Sequence, residues 1–138
     1  MGKKSIACIV FFNGRILIAH RNPEGVMGNR WEFPGGKVES GETDQQAIVR
    51  EFQEEFGVVV TVGNHICDAT FVHNDCQCSL HAYEVFVPHD GSKERYVLTE
   101  HTEYKWVDVT CIPSLPFVDS DLKLYPSILE YLKRVYAL

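Results

Sequence analysis

The stretch Gly36-Lys-Val-Glu-Ser-Gly-Glu42, followed after seven residues by Arg50-Glu51-Phe52-Gln53-Glu54-Glu55-Phe56-Gly57-Val58, determines the chemistry and much of the fold of this chain. In a helix, Glu51, Glu54 and Glu55 share one face that spans roughly 100°. Like charges at these spacings destabilise an isolated helix by about 0.2–0.5 kcal/mol per pair. Because Arg50 is the only nearby cation, we predict that these acids are reserved for a ligand.

The acidic face indicates a hard divalent cation. Carboxylate oxygens with no Cys or His among them suit Mg²⁺ or Mn²⁺ better than Zn²⁺ or copper. An ordinary solvated helix face is the alternative interpretation of the same three acids.

A helix over residues 43–56 is predicted around these acids. Thr43 and Gln46 have the spacing of a capping box, and Gly57 suits the left-handed position after the helix. The apolar residues Ala47, Ile48, Phe52 and Phe56 recur with helical spacing. We expect the apolar stripe to pack on a sheet while the acids point into an adjoining cleft.

A glycine loop precedes this helix. The segments Pro34-Gly35-Gly36 and Ser40-Gly41 allow close approach of the backbone to a ligand. The loop is not a P-loop, because no Gly-Lys-Ser/Thr sequence ends it and because Glu42 and Asp44 would repel a bare phosphate.

The whole pattern resembles the Nudix box. It has Gly36, five residues, Glu42, seven residues, Arg50-Glu51, an apolar residue, one residue, Glu54-Glu55, one residue, then Gly57 and an apolar residue. Similarity to the MutT-like branch extends to Trp31-Glu-Phe-Pro-Gly-Gly-Lys37 and to Glu100-His-Thr-Glu-Tyr-Lys-Trp-Val107. The one small departure is Phe52, where an aliphatic residue is commoner.

The resemblance implies roles for individual residues. Mg²⁺, with Mn²⁺ as the second choice, would be held by Glu51, Glu54, Glu55 and the backbone carbonyl of Gly35. Arg50 would orient the acids by ion pairing, and Glu42 would give more distant support.

The resemblance leaves the general base open between a box glutamate such as Glu54 and the loop residue Glu100. Glu100 lies six residues before Trp106 and is also expected near the metal. Its neighbour Glu103 could be mistaken for it, and an ordinary loop acid is the alternative interpretation of Glu100.

Substrate contacts are expected at Gly36 and Lys37 of the glycine loop and at two aromatic residues before it. Trp31 or Phe33 would stack on a base while the other packs in the core, and core packing is the alternative for each.

Two further groups of residues are expected at the substrate by resemblance. Asp121, or failing that Asp119, would read the base edge, although Asp121 could equally be the N-cap of the last helix. Arg21 resembles a residue that contacts phosphate or base, and a surface salt bridge would explain it too.

The implied activity is Mg²⁺-dependent hydrolysis of ribo- or deoxynucleoside triphosphates to a monophosphate and pyrophosphate. Oxidised or modified substrates such as 8-oxo-dGTP or cytidine nucleotides are included, which indicates nucleotide pool sanitation and DNA repair. The alternatives are hydrolysis of another nucleoside diphosphate-X such as ADP-ribose, and a non-catalytic nucleotide-sensing domain. The presence of every acid of the box favours the enzyme.

Length, charge and cysteine content indicate the general class of protein. A chain of 138 residues with 45% hydrophobic content predicts a single domain over 1–138. The net charge of −6 argues against a nucleic-acid polymer as partner. Five cysteines and no convincing signal peptide predict a cytoplasmic protein, and no apolar run predicts a membrane span. We expect a monomer or weak homodimer that binds a small nucleotide.

The remaining elements follow from local patterns. Asn13-Gly14 predicts a hairpin turn between two strands, and Asp90-Gly91 predicts a second turn. A last helix is predicted around Ile128 and Leu132, with Pro126 in its first turn. The predicted strands are Ser5–Phe12, Arg15–His20, Val58–Val62, Ile66–His73, Cys78–Val87 and Tyr104–Val109. This order predicts a mixed β-sheet sandwiched between helices, the α/β/α arrangement of the Nudix fold.

One competing interpretation concerns His73, Cys76, Cys78 and His81, which together could form a zinc site. The Cys-x-Cys spacing is unusual for structural zinc, and in a strand Cys76 and Cys78 would pack on one face as small hydrophobic side chains.

Overall fold

The computed structural model describes residues 3–21, 30–88 and 101–138, with the side chains of Arg21, His101 and Thr102 excepted. Within these ranges it has eight strands, two α-helices and a short 3-10 helix. In chain order these are β1 (Lys3–Ile9), β2 (Phe11–Phe12), β3 (Arg15–Arg21), β4 (Trp31–Glu32), β5 (Gly35–Lys37), α1 (Asp44–Phe56), β6 (Thr61–His73), β7 (Cys76–Phe86), β8 (His101–Asp108), the 3-10 helix (Val109–Ser114) and α2 (Asp119–Tyr136).

The strands form two sheets. The first has the order β5-β1-β7-β6, in which β1 runs parallel to β7 and the other neighbours are antiparallel. In the second sheet, β3 pairs antiparallel with β2, β4 and β8. The first sheet therefore places the glycine strand β5 at an edge, next to β1.

Alternation along β1 sorts the core into two layers. Ile6 and Cys8 belong to the cluster that contains the buried residues of α1, whereas Ala7 and Ile9 belong to the cluster that contains those of α2. Successive side chains of a strand point to opposite faces, so one strand contributes to both layers. The predicted arrangement of strands between helices is confirmed, while the single domain over 1–138 stays a prediction.

Helix α1 confirms the pattern found in the sequence. The Thr43 hydroxyl accepts from the backbone N–H of Gln46, and the Gln46 side chain accepts from the backbone N–H of Thr43. Gly57 ends the helix at φ 69°, in the left-handed region. The buried residues are Ala47, Ile48, Phe52, Glu55 and Phe56. An apolar face thus fixes the helix on the sheet and leaves its acidic face beside β5.

Two strand predictions need correction. The Asn13-Gly14 turn is confirmed, with φ values of 54° and 78°. The predicted strand at Val58–Val62 instead begins at Thr61 and continues to His73, so two predicted strands are one. The pairing register of β6 shifts between Val62 and His65 and again between His65 and Cys67. These irregularities let the strand continue through the polar residues that had separated the two predicted strands. The predicted Asp90-Gly91 turn lies outside the described residues.

The last helix begins earlier than predicted. It starts at Asp119 with Val118 as its N-cap, so Pro126 is the eighth helical residue and does not lie in the first turn. An interior proline costs about 3 kcal/mol. Burial of Leu124, Ile128 and Leu132 against the sheet outweighs that cost, because each large apolar side chain contributes about 1.5–3 kcal/mol.

The zinc interpretation finds no support in the described part of the chain. The β6–β7 hairpin brings His73 opposite Cys76, but Cys78 is buried and packs in the core. Among the described residues, no three His, Cys, Asp or Glu side chains are grouped so that they could hold a metal ion.

A buried acid ties α2 to the sheet. Glu84 of β7 is buried, and its carboxylate accepts hydrogen bonds from the hydroxyls of Tyr131, at 2.5 Å, and Tyr136. The Tyr131 hydroxyl also accepts from the side-chain amide of Asn64, at 3.2 Å. Burial, and then the bond to Glu84, raises the pKa of Tyr131. These bonds satisfy a carboxylate that would otherwise be costly to bury.

Replacing Tyr131 with Phe removes one donor from the buried Glu84. We expect this change to lower the free energy of unfolding by about 1–3 kcal/mol, because a buried polar group loses its partner. Urea denaturation provides the measurement. Tyr125→Phe is the matched control, since that hydroxyl donates to the backbone carbonyl of Val109 at 3.0 Å. A loss in Tyr131→Phe no larger than in the control would contradict this account.

Candidate active site

Arg50 is the centre of the acidic cluster. Its Nε lies 2.6 Å from Glu42 Oε2 and its Nη2 lies 3.0 Å from Glu42 Oε1, so the guanidinium grips that carboxylate with two bonds. The Nη1 group lies 3.3 Å from Glu51 Oε2 and 3.2 Å from Glu54 Oε1. One cation thereby joins the loop acid to two acids of α1, which offsets the repulsion among them.

The same side chain also ties α1 to the glycine strand. Nη2 of Arg50 donates to the backbone carbonyl of Lys37 at 2.9 Å, and Nη1 lies 3.7 Å from Glu39 Oε2. The hydrogen bonds that Arg50 donates to Glu42 lower the pKa of Glu42 to about 2 and raise the pKa of Arg50. Both groups are therefore charged at neutral pH.

Two glycines lie where an added Cβ would meet a neighbouring group. A Cβ atom at Gly36 would lie 2.2 Å from Glu51 Oε2, and one at Gly35 would lie 2.0 Å from the carbonyl oxygen of Ile6. Real Cβ atoms do not approach other heavy atoms this closely, so a side chain at Gly35 would collide with the backbone of β1, and one at Gly36 would displace the Glu51 carboxylate. The absence of side chains here lets the Glu51 carboxylate lie against β5.

The three predicted metal ligands on α1 differ in exposure. Glu54 has 59% of its side chain exposed and Glu51 has 18%, whereas Glu55 is only 6% exposed. In the described ranges no three such acids are grouped as a ready metal centre, and Arg50 is bound to two of them. The donors are carboxylate and carbonyl oxygens alone, a set that fits a hard divalent cation.

A cavity of about 400 Å³ adjoins the loop between β5 and α1. A volume of this size accommodates a small ligand. Lys37, predicted to contact substrate, has an exposed side chain here. The cavity is lined by Lys3, Lys4, Lys37, Val38, Glu39, Ser40, Gly41 and Glu42. The sequence analysis missed Lys3 and Lys4, although two adjacent lysines on a strand next to β5 were a usable signal.

Trp31 and Phe33 both lie in the core layer beneath α2. The Trp31 ring lies 4.7 Å from the His20 ring, and the Lys105 Nζ lies 4.4 Å from the Trp31 ring centroid. The Phe33 ring meets Phe117 edge-on at 5.1 Å. Core packing thus explains both aromatic positions in this structure, and stacking of either ring on a base stays a prediction.

The two candidate base-reading acids have opposite environments. Asp119 has 75% of its side chain exposed and lies 3.4 Å from Nη1 of Arg30. Asp121 is only 6% exposed, and its Oδ2 accepts from the backbone N–H of Phe33 at 2.9 Å. The N-cap interpretation of Asp121 is wrong, because Val118 is the N-cap and Asp121 lies within the first turn.

Some predicted residues cannot be placed. Glu100 lies outside the described residues, as does the side chain of Arg21. The backbone of Arg21 pairs with His101 after a register shift in β3. Glu103, the neighbour of Glu100, is exposed and pairs with His20 across the strands. The choice of general base therefore stays a prediction.

Sequence analysis also missed an anchor at the start of α1. Asp44 Oδ2 lies 2.7 Å from His81 Nδ1, and the Tyr83 hydroxyl donates to it at 2.8 Å. Burial acts to raise the pKa of Asp44, but the bonds from His81 and Tyr83 outweigh it and hold that pKa below its usual value. His81 and Tyr83 alternate on β7, which was the only available signal that they share a face.

Comparison with known proteins adds the family. The family model of the NUDIX domain matches residues 2–128. The chain belongs to the Nudix family. The predicted resemblance is confirmed, and the protein is an enzyme of the Nudix hydrolase class. Nudix hydrolases act on small nucleotide substrates and generally use divalent metal ions. Of the helices in the described ranges, none is both long and apolar enough to span a membrane.

Two relatives of this Nudix chain are named for an enzymatic activity. A CTP pyrophosphohydrolase of Escherichia coli K12 is 33% identical over 119 residues, which cover 86% of this chain and 85% of that protein. An 8-oxo-dGTP diphosphatase of the same organism is 54% identical over 46 residues, which cover 33% of this chain and 36% of that protein. The first similarity covers most of both chains, and the second is local.

Solved Nudix structures have the same fold. The solution structure of the E. coli ORF135 protein matches with a TM-score of 0.80 and 29% identity, covering 95% of this chain and 90% of that one. A MutT protein from Methanosarcina mazei Go1 matches with a TM-score of 0.80 and 20% identity, covering 95% of each chain. The second likeness supports the fold alone.

Replacing Gly36 with Ala tests the contact with Glu51. The new Cβ must displace the Glu51 carboxylate, so we expect nucleotide hydrolysis to fall by about 10–100-fold while the protein stays folded. Measurements of kcat/KM and of thermal unfolding by circular dichroism separate the two effects. Gly14→Ala is the control, because a Cβ there meets nothing within 4 Å but its φ of 78° strains the backbone. Equal activity losses in both variants would contradict the contact.

The Glu42–Arg50 pair predicts a particular acid response. The folded-state pKa of Glu42, about 2, lies below its ordinary value of 4.5, so its stabilisation is fully present above pH 4.5 and is lost as pH falls toward 2. We expect Glu42→Gln to reduce this acid dependence of the free energy of unfolding. Urea denaturation at about pH 7 and about pH 3 measures it. The exposed Glu130→Gln variant serves as control and should keep the wild-type slope.

Proposed function

We propose that this enzyme hydrolyses ribo- or deoxynucleoside triphosphates to a monophosphate and pyrophosphate with Mg²⁺ as cofactor, Mn²⁺ being the second choice. The observation that carries the proposal is the arrangement around Arg50, which joins Glu42 to Glu51 and Glu54 beside a glycine strand. The CTP pyrophosphohydrolase relative supports it, because the similarity covers 85% of that protein. The proposed role is nucleotide pool sanitation.

The proposed chemistry follows from the charges in the site. Glu51, Glu54, Glu55 and the carbonyl of Gly35 would hold the divalent ions, which supply charge neutralisation and an acidified water when bound. Arg50 keeps Glu51 and Glu54 close together before substrate arrives. Preorganised ligands lower the cost of assembling a charged site.

Proton transfer in this proposal involves one of two glutamates. Glu54 is the most exposed of the three acids on α1, at 59%, so its carboxylate is accessible to solvent water. Glu100 is the other candidate. Loss of the lower pKa from the pH profile of kcat/KM in Glu54→Gln, but not in Glu100→Gln, would assign the base to Glu54.

Among bases, we propose cytosine first. The Asp119 carboxylate is 75% exposed at the first residue of α2 and lies 3.4 Å from Nη1 of Arg30. A carboxylate accepts a hydrogen bond from the exocyclic amino group of cytosine. We therefore propose cytidine nucleotides as the preferred substrates, 8-oxo-dGTP as the second choice and ADP-ribose as the third.

We also propose a cytoplasmic monomer or weak homodimer with no nucleic-acid polymer or membrane as partner. The chain has five cysteines, an odd number, and both Cys8 and Cys78 are buried. Burial raises the pKa of Cys8, which keeps that thiol protonated and unreactive. An odd number of cysteines argues against a disulfide framework and is typical of a reducing compartment.

The first assay uses the purified protein with Mg²⁺ and a panel of CTP, dCTP, 5-methyl-dCTP, the other common triphosphates, 8-oxo-dGTP and ADP-ribose. We expect monophosphate and pyrophosphate from cytidine triphosphates, and a loss of at least about a hundredfold in kcat for Glu54→Gln. Glu130→Gln, which changes an exposed glutamate on α2, is the matched control and should retain wild-type kcat.

The outcomes of this assay separate the alternatives. Turnover of ADP-ribose alone would replace the triphosphatase proposal with the nucleoside diphosphate-X alternative. Binding of nucleotides without turnover would favour a sensing domain. Release of inorganic phosphate in place of pyrophosphate would contradict the proposed bond cleavage.

A further inference from the structure

The first residue of α1 is an aspartate that is bonded to the sheet. The side chain of Asp44 is 11% exposed, and its Oδ2 lies 2.7 Å from Nδ1 of His81 and 2.8 Å from the Tyr83 hydroxyl. Because an ionised carboxylate only accepts hydrogen bonds, both partners are donors. Both lie on β7, an inner strand of the first sheet. We name this contact of Asp44, His81 and Tyr83 the Asp44 anchor.

The Nudix box does not prescribe the residue at position 44. Asp44 lies among the seven residues between Glu42 and Arg50, which the motif leaves open. An aspartate in the first turn of a helix is favoured by the helix dipole, but a solvated side chain would serve that purpose. The dipole therefore does not explain why Asp44 is nearly buried against two donors on β7.

One row across the first sheet leads from this anchor to the candidate metal site. In the strand register, His81 of β7 is opposite Ile6 of β1, and Ile6 is opposite Gly36 of β5. Residues opposite each other in neighbouring strands point to the same face of a sheet. That face is covered by α1, and a Cβ added at Gly36 would lie 2.2 Å from the Glu51 carboxylate. The row thus has His81 near one end and the place of Glu51 at the other.

The helix has the length to reach both places. Asp44 and Glu51 are seven residues apart, so they lie on nearly the same side of α1 and about 10.5 Å apart along its axis. Two strand spacings, from β7 across β1 to β5, amount to about 9.6 Å. Because the two lengths are similar, two turns of α1 connect its contact with His81 to its contact with Gly36.

The contacts between these two ends are apolar. Ala47 and Ile48 of α1 are fully buried and belong to the same core cluster as Ile6. Apolar packing is not directional, so it holds the helix on the sheet without selecting its rotation or its position along the row. Hydrogen bonds with defined partners supply that selection. Arg50 makes one with the backbone of β5, and the Asp44 anchor makes two with β7.

We propose that Asp44, His81 and Tyr83 are positioning residues, which hold the start of α1 on β7 and so keep the Glu51 carboxylate beside Gly36 for a divalent ion. This inference rests on the proposed function for its kinetic consequence. A ligand that is held in place before the ion arrives costs less to order on binding, so loosening the anchor weakens the affinity for the ion. Asp44 acts through the helix and is not itself a candidate ligand.

The neighbouring strand offers a matched control. His65 and Asp68 of β6 form a pair of the same kind, with Nε2 2.6 Å from Oδ1, and the His65 ring lies 5.0 Å from the ring of Tyr83. Neither member of this pair lies on α1. Removal of the His65 imidazole therefore disturbs the same part of the sheet and leaves the bonds to Asp44 in place.

The first test measures Mn²⁺ binding to the full-length protein by electron paramagnetic resonance, in the absence of nucleotide. His81→Leu removes a donor to Asp44 and should raise the dissociation constant for Mn²⁺ by about tenfold. His81→Asn keeps a donor, because its amide nitrogen is bonded to Cγ as Nδ1 of histidine is, and should stay within about twofold of wild type. His65→Leu should leave the dissociation constant unchanged.

The second test compares kinetic constants on the best triphosphate of the panel. His81→Leu should lower kcat and raise the half-saturating Mg²⁺ concentration, each by about tenfold, with KM for the nucleotide within about twofold of wild type. His81→Asn should restore both constants. A merely stabilising role predicts a lower free energy of unfolding, with kcat and the Mg²⁺ dependence of the folded variant unchanged.

The two tests keep the inference separate from the proposed function. If the wild type hydrolyses no triphosphate, the proposed function fails, and the Mn²⁺ affinities still decide the inference. If His81→Leu does not fold, Tyr83→Phe replaces it, since that change removes only the 2.8 Å bond and should weaken Mn²⁺ binding in the same direction. Wild-type Mn²⁺ affinity in the folded variant would overturn the inference, as would an equal loss of affinity in His65→Leu.

Discussion

The structure of the site depends on one guanidinium group. Three acids on one face of a helix repel one another, and a fourth acid in the preceding loop adds to that repulsion. Arg50 contacts Glu42, Glu51 and Glu54 together and donates to the Lys37 carbonyl, so it stabilises both the helix and its junction with the glycine strand. Lysine would not serve equally, because its point charge cannot grip Glu42 with two parallel bonds.

Buried and half-buried acids recur in this protein, and each has its own kind of donor. Glu42 has a guanidinium, Asp44 has an imidazole and a phenol, and Glu84 has two phenols. Asp121 has a backbone amide. A chain with a net charge of −6 thus places several acids where dedicated hydrogen bonds satisfy them. These hydrogen bonds connect α1 and α2 to the strands at specific residues. Apolar contacts alone are not directional and do not select such positions.

Much of this arrangement was accessible from the sequence because its signals are local. The capping box of Thr43, the left-handed Gly57 and the Asn13-Gly14 turn each act within a few residues, and the structure has all three. The start of α2 was missed because Val118 caps it without a side-chain hydrogen bond. The hydrogen bond between Asp121 and Phe33 was missed because the two residues are 88 positions apart and the donor is a backbone group, for which sequence patterns carry no signal.

The parallel pairing of β1 with β7 has a consequence for synthesis of the protein. Lys3 is paired with Cys78 and Ile9 with Glu84, so β1 meets its parallel partner only after the ribosome has made α1 and β6. Helix α1, whose caps are local, is complete in sequence before that partner exists. Non-local pairings of this kind slow folding and leave strand edges exposed meanwhile. The residues of the acidic helix are therefore synthesised before the first sheet can be completed. Only the completed sheet holds the helix beside β5 and so forms the candidate site.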